Sequence, residues 1–194
     1  MLKPAVLKEY IEYGSTIIWF ELIISVIACC VSYYKRKSIA RLIAVFLCAL
    51  GICNFLSLVA FPIPVKVEYP IGHLYDFKSQ FSSFDISSML NYFPDILARD
   101  SRYISAPFIL ALFSPVLFVK LRKAVMWLIS LAGIETTYLA YNIAVNTIAK
   151  YTMTYIDIGQ LLFIAVGYSA GWVLSVLILR SFPIIDAKIA PRKK

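Results

Sequence analysis

What most constrains this chain is a series of apolar runs, each close to the length needed to cross a lipid bilayer as a helix. The hydrocarbon core is about 30 Å thick, so a helix spans it with about 20 mainly apolar residues. Five segments have that character: residues 15–34 ("STIIWFELIISVIACCVSYY"), 42–62, 103–119, 124–148 and 156–179. The third is the shortest and carries Pro107 and Pro115. Pro115 is expected to kink it, and snorkelling of Lys120 and Arg122 is expected to extend its reach. The chain as a whole is 61% hydrophobic and only 15% charged. Soluble domains carry about 25% charged residues, so the bilayer is the expected solvent. The reading is an all-α integral membrane protein of about five transmembrane helices, forming one domain over residues 1–194 of a multi-pass protein of the cell membrane. No cleavable leader is expected, since no small-residue cleavage motif follows the first apolar run.

The net charge is +8, which on a soluble chain would suggest nucleic acid. Here the cations lie in short clusters between apolar runs, and no nucleic-acid partner is expected. Twelve of the nineteen Lys and Arg lie in the connections 35–41 and 120–123 and in the tail from Arg180. The other seven are spread over much more chain and are offset by acids. Cytoplasmic loops carry the excess of Lys and Arg. This places the C-terminus in the cytoplasm and the N-terminus outside, as an odd number of spans requires. The long connection 63–102 then lies outside, and its many aromatics suit the headgroup layer. Within it "FDISSMLNYFP" reads as a short amphipathic helix, with Asp85 as N-cap, Ile86, Leu90 and Phe93 on one face, and Pro94 as terminator.

Polar residues inside the spans fall unevenly. Glu135, Tyr138, Asn142 and Asn146 are three or four residues apart on span four and share a helical face. Asp157 and Gln160 lie in the outer half of span five, Glu21 in the outer third of span one, and Asn54 in the outer half of span two. The inner halves hold little that is polar beyond small residues. Charged groups within a bilayer usually face a bundle interior or a watery cavity. The economical picture is an outward-open polar pocket lined by spans one, two, four and five, with Glu135 the hardest group to explain structurally. On span five Gly167, Gly171 and Ser175 form a small-residue face for close helix packing, with span four or a second copy of the chain as the expected neighbour. Cys29, Cys30, Cys48 and Cys53 all lie in apolar segments and read as small buried hydrophobes. With His73 the only histidine, no metal site and no cofactor are expected.

The same residues resemble the VanZ-like family of bacterial membrane proteins. Its members carry a pattern close to N-L-x-P-F before a span, then L-F-x-P-x-G, then S-x-x-x-E-x-x-Q, and finally D-x-D-D-x-x-x-N-x-x-G-x-x-x-G opening the last span. "FDISSMLNYF" is similar to the first element, and "ALFSPVL" to the second through Phe113 and Pro115. "SLAGIETTY" places Glu135 on the family glutamate, and "DIGQLLFIAVGYSAG" places Asp157, Gly167 and Gly171 on the last motif. Tyr138, Gly159, Gln160 and Ile164 depart from the pattern, and Asp85 stands where asparagine is usual. The resemblance covers about residues 84–179. It implies a membrane protein associated with low-level resistance to the glycopeptide teicoplanin, without established enzymatic activity.

Three functions compete on these residues. In the first the protein is not an enzyme. It binds a lipid-linked, lipid-like or antibiotic ligand at the outer leaflet, or protects the envelope. Glu135 and Asn142 would anchor the polar head group, and Tyr138, Asp157, Gln160 and Glu21 would line the rest of the site. In the second it is a membrane-embedded hydrolase or transferase, with Glu135 as general base together with Asp157 or His73. No nucleophile elbow or HExxH signature supports this. In the third it is a small subunit of a larger membrane assembly, or a homo-oligomer. In each case membrane lipids are its immediate partners.

Overall fold

The computed structural model describes residues 6–11, 15–35, 38–60, 63–68, 101–149 and 158–183. The segment read as an amphipathic helix, together with His73 and Asp157, lies outside them. Five helices form the framework: α1 (Ser15–Lys35), α2 (Ile39–Ala60), α3 (Arg102–Leu117), α4 (Ala124–Ala149) and α5 (Ile158–Ser181). A single 3-10 turn, Val119–Arg122, joins α3 to α4. Four helices, α1, α2, α4 and α5, are long and apolar enough to cross a membrane. The fifth, α3, has 16 residues and so measures about 24 Å, somewhat short of a full hydrocarbon core.

The distribution of side chains is inverted relative to a protein folded in water. Trp19, Phe20, Ile23, Ile27 and Val31 on α1, Val125, Leu128 and Ile129 on α4, and Val166, Val173 and Leu177 on α5 are all exposed. Glu21, Ser25, Ser57, Asn142 and Ser175 are buried. Apolar side chains cover the outside and polar ones meet inside, the arrangement that minimises cost when the solvent is hydrocarbon. These helices make it a multi-pass membrane protein.

The centre of the bundle is α3, the shortest of the five helices. It lies between α2 and α5 and packs closely on both. Ala106, Pro107, Ala111, Ser114 and Pro115 are its buried residues, and Ala111 is 0% exposed. Small residues on its neighbours permit the approach. A Cβ added to Gly167 would collide with the backbone of Ile104, and one added to Gly171 with the Phe108 carbonyl. On the other flank, a Cβ on Gly51 would come within 3.0 Å of the Leu110 backbone nitrogen. The neighbour of the small-residue face of α5 is therefore α3, and not span four or a second copy. Close backbone packing replaces the hydrophobic effect, which gives no drive for helices to associate within lipid.

The helix runs continuously through Pro107 and Pro115. At its end the Phe118 N–H donates to the Ser114 carbonyl at 2.9 Å. Arg122 Nε donates to the Pro115 carbonyl at 2.9 Å. Arg122 thus folds back to cap α3, where its charge also complements the helix dipole. The 3-10 turn is tied to α5 by Trp172, whose Nε1 donates to the Leu121 carbonyl at 2.7 Å. Trp172 also packs on Trp127 of α4, with ring centroids 5.8 Å apart.

Two short strands complete the described structure. β1 (Val6–Ile11) and β2 (Ile63–Glu68) pair antiparallel, from Val6 opposite Glu68 to Ile11 opposite Ile63, with two register irregularities. The all-α reading thus omits a small sheet. In "IPVKVE" the β-branched Ile63, Val65 and Val67 alternate with Pro64, Lys66 and Glu68, the period-2 signature of a strand. Because β1 precedes α1 and β2 follows α2, the sheet ties together the open end of the α1–α2 hairpin. At the opposite end the chain turns through Ser38, whose carbonyl accepts the Leu42 N–H at 3.0 Å as α2 begins. These are called below the sheet end and the cationic end. The four cysteines are free, with Cys29 and Cys48 buried and Cys30 exposed.

Candidate functional site

The start of α1, the end of α2, the start of α3, the end of α4 and the start of α5 all lie at the sheet end. Here the bundle gathers its membrane-embedded carboxyl and amide side chains, while the hydroxyls of Ser114, Tyr168 and Ser175 are buried toward the other end. Two hydrogen-bonded pairs dominate. Between α1 and α2, Ser57 Oγ donates to the Glu21 carboxyl oxygen Oε1, and Glu21 is only 5% exposed. One turn along α1, Ser25 Oγ donates to the Glu21 backbone carbonyl at 2.8 Å, a back-bond that satisfies a hydroxyl with no other outlet.

Between α4 and α5, the Tyr138 hydroxyl donates to Gln160 Oε1 at 2.6 Å. Tyr138 is 2% exposed and meets the Tyr103 ring of α3 edge-on, with centroids 6.0 Å apart. Asn142 is buried one turn further along α4 and donates through Nδ2 to the Tyr138 carbonyl at 2.8 Å. Tyr141 donates to the Ala60 carbonyl at 2.7 Å, which caps the end of α2 from α4. An apolar cluster of Phe55, Leu58, Val59, Ala106, Tyr138 and Ile164 fills the space among α2, α3, α4 and α5.

Glu135 differs from these groups. It is half-buried on α4, on the face that carries Tyr138 and Asn142, and makes no hydrogen bond or ion pair with a described residue. Because Tyr138 pairs with Gln160, in the first turn of α5, Glu135 lies only about 5 Å deeper along α4 than that pair. Counting along α4 alone puts it mid-span, whereas helix pairing brings it near the polar end. The carbonyl oxygen of Asn142 is likewise uncommitted among the described residues. The α4 face therefore offers a carboxyl and an amide oxygen, two turns apart, with bonding capacity left.

The residues singled out from sequence thus sort into three groups. Glu21 is engaged with Ser57, and Tyr138 with Gln160. Glu135 and Asn142 retain unused capacity on one face of α4. Asp157, and the side chain of Asn146, lie outside the described residues. Ser25, Ser57, Tyr103 and Tyr141 were not singled out, though Ser25 stands one helical turn from Glu21 and Ser57 one turn from Cys53. Spacing could have drawn attention to them, but a lone hydroxyl in an apolar helix carries no signal of its partner.

The Tyr138–Gln160 bond joins α4 to α5, which otherwise share a limited interface. Replacing Tyr138 by Phe keeps the ring and its contact with Tyr103 but leaves Gln160 without its donor. The expected loss is about 0.5–1.5 kcal/mol, in line with hydrogen bonds between membrane helices. Reversible unfolding of the variant in mixed micelles measures it.

No protein-family model, curated protein or solved structure matches this chain.

Proposed function

We propose that the protein is a non-enzymatic, VanZ-like membrane protein whose sheet end faces the cell exterior. There it binds the polar head of a lipid-like or lipid-linked envelope ligand. The observation that carries this reading is the convergence of the membrane-embedded carboxyl and amide side chains at one end of the bundle. Within it, Glu135 and Asn142 are left with bonding capacity on a single face. A carboxyl and an amide two turns apart suit a head group rich in hydroxyls or amines, while the exposed apolar faces of α4 accommodate hydrocarbon. Asp157, just before α5, and Gln160 in its first turn would extend the polar lining. Sequestering an envelope lipid at this site is also a physical route to protection against an antibiotic that targets it. Charge asymmetry supports the orientation, since the cationic end matches a cytoplasmic face. In this reading α3 completes a fifth crossing. Most of α1 and α4 faces outward, which also favours a second reading as a subunit that packs these faces on a partner.

Orientation is tested with single cysteines in a background lacking the four native ones. Ser101 and Lys123 are exposed at opposite ends of the bundle. In intact cells a membrane-impermeant maleimide is expected to label Ser101→Cys, and to label Lys123→Cys only after permeabilisation. The reverse pattern would overturn the outward-facing site.

A further inference from the structure

A second site is built at the cationic end, away from the carboxyl and amide groups described above. The 3-10 turn after α3 does not close the gap between α3 and α4. A hollow of about 620 Å³ remains, lined by Leu117, Phe118, Val119, Lys120, Leu121 and Met126. Its size falls within the range of small-ligand pockets, roughly 300–1,000 Å³. Its wall is apolar apart from Lys120. Phe118 and Val119 are exposed at its edge.

The rim carries the charge. Lys120 and Lys123 are exposed, and neither forms an ion pair or hydrogen bond through its side chain with a described residue. No acid lies in the connections 36–38 and 118–123 at this end. Arg122 caps α3 through the Pro115 carbonyl, so the two lysines are the cations of this turn left to meet a ligand. Behind the wall, Trp172 holds the Leu121 carbonyl. Its stacking partner Trp127, next to Met126, has a buried indole N–H with no acceptor among the described residues. Trp in such a position is suited to the boundary between headgroups and hydrocarbon.

We propose that this hollow binds an anionic phospholipid, with an acyl chain against Leu117, Phe118 and Met126 and the phosphate at Lys120 and Lys123. Charge complementarity selects the occupant. Basic pockets between membrane helices on the cytoplasmic side bind anionic head groups, whereas a zwitterionic lipid gains little there. The shortness of α3 makes the site, because its end brings a cationic turn down to the depth of the lipid carbonyls. This inference shares the proposed orientation of the bundle but does not rest on ligand binding at the sheet end.

Fluorescence of Trp127 and Trp172 tests it. Trp19, 65% exposed on α1, is replaced by Phe to remove the third emitter. The full chain is reconstituted in phosphatidylcholine vesicles that contain increasing fractions of phosphatidylglycerol or phosphatidylcholine with brominated acyl chains, which quench indole only in contact. Brominated phosphatidylglycerol is expected to reach half-quenching at an at least about fivefold lower fraction, the effect of a single nearby cation. Lys120→Gln with Lys123→Gln should move that curve onto the phosphatidylcholine curve, leaving the latter and the helical circular dichroism unchanged. Lys120→Arg with Lys123→Arg should keep the preference. Equal quenching by both lipids in the wild type, or a preference that survives the double glutamine variant, would overturn the site.

Discussion

Replacing Gly171 by Leu is expected to prevent the bundle from assembling, while the same change at Gly133 leaves it folded. At Gly171 even a single added carbon meets the Phe108 carbonyl and lies 3.1 Å from the Ala111 Cβ, whereas at Gly133 nothing lies within 4 Å. A flexible side chain can move aside, but a backbone carbonyl within a helix cannot. The whole of α5 would have to shift from α3, breaking the tightest helix contact in the molecule. Overpacked cores typically lose about 1–3 kcal/mol, and a backbone collision belongs at or above the top of that range. Gly167→Leu should behave in the same way, because its obstacle is the Ile104 backbone. Size-exclusion chromatography in mild detergent separates the outcomes. The Gly133 variant should elute as a single sharp species, and the Gly171 variant should aggregate or fail to accumulate. A Gly171→Leu protein with wild-type stability would show that α3 is not the element packed on this face.

The second large effect concerns the buried carboxyl of Glu21. Ser57→Ala removes a hydrogen-bond donor from a group that is 5% exposed, which should cost about 1–3 kcal/mol. Changing both partners, Glu21→Met with Ser57→Ala, removes the need for the bond as well as the bond. It is expected to recover most of that stability, since apolar replacement of a buried polar pair is often neutral or favourable. Equilibrium unfolding of the two single variants and the double variant gives the coupling energy directly. Additive losses would contradict a dedicated Glu21–Ser57 pair. A stable double variant also yields a protein in which the role of Glu21 in ligand binding can be examined apart from folding.

The helices themselves were legible from hydropathy because length and apolarity are properties of each segment alone. The convergence of carboxyl and amide residues toward one end was legible for a similar reason: alternating helix directions turn position along each span into depth. What could not be read was which helices touch. α3 looks weakest because it is short and carries two prolines, whereas a helix surrounded by other helices is built from small residues and tolerates proline. Ala106, Ala111 and Ser114, its small buried residues, are what allow it to be central. Gly167 and Gly171 announced a close contact but not its partner, since a small-residue face fits any helix.

Depth was misleading in one further respect. Counting places Glu21 in the outer third of its span, yet it is buried against α2. Glu135 seemed deepest by counting along its own helix, yet Tyr138 opposite Gln160 brings it close to the polar end. Pairing between helices sets both environments, and it is not encoded in either segment alone. The strand in "IPVKVE" was overlooked for another reason. Its period-2 pattern follows directly on a long apolar run and is six residues long, too brief to stand out.

Glu135 as the anchor of a ligand at the sheet end is best examined by lipid analysis of protein purified from its native membranes. Wild type and Glu135→Gln are extracted in mild detergent, and the lipids that remain bound are identified by mass spectrometry. Glutamine keeps the size and hydrogen bonding of the side chain while removing its titratable proton, so the bundle should stay intact. A specific lipid class with a hydroxyl- or amine-bearing head group should be retained by the wild type and lost from the variant, while anionic phospholipid is retained equally by both. Identical lipid profiles from two equally stable proteins would contradict it, and would make Glu135 a structural carboxyl.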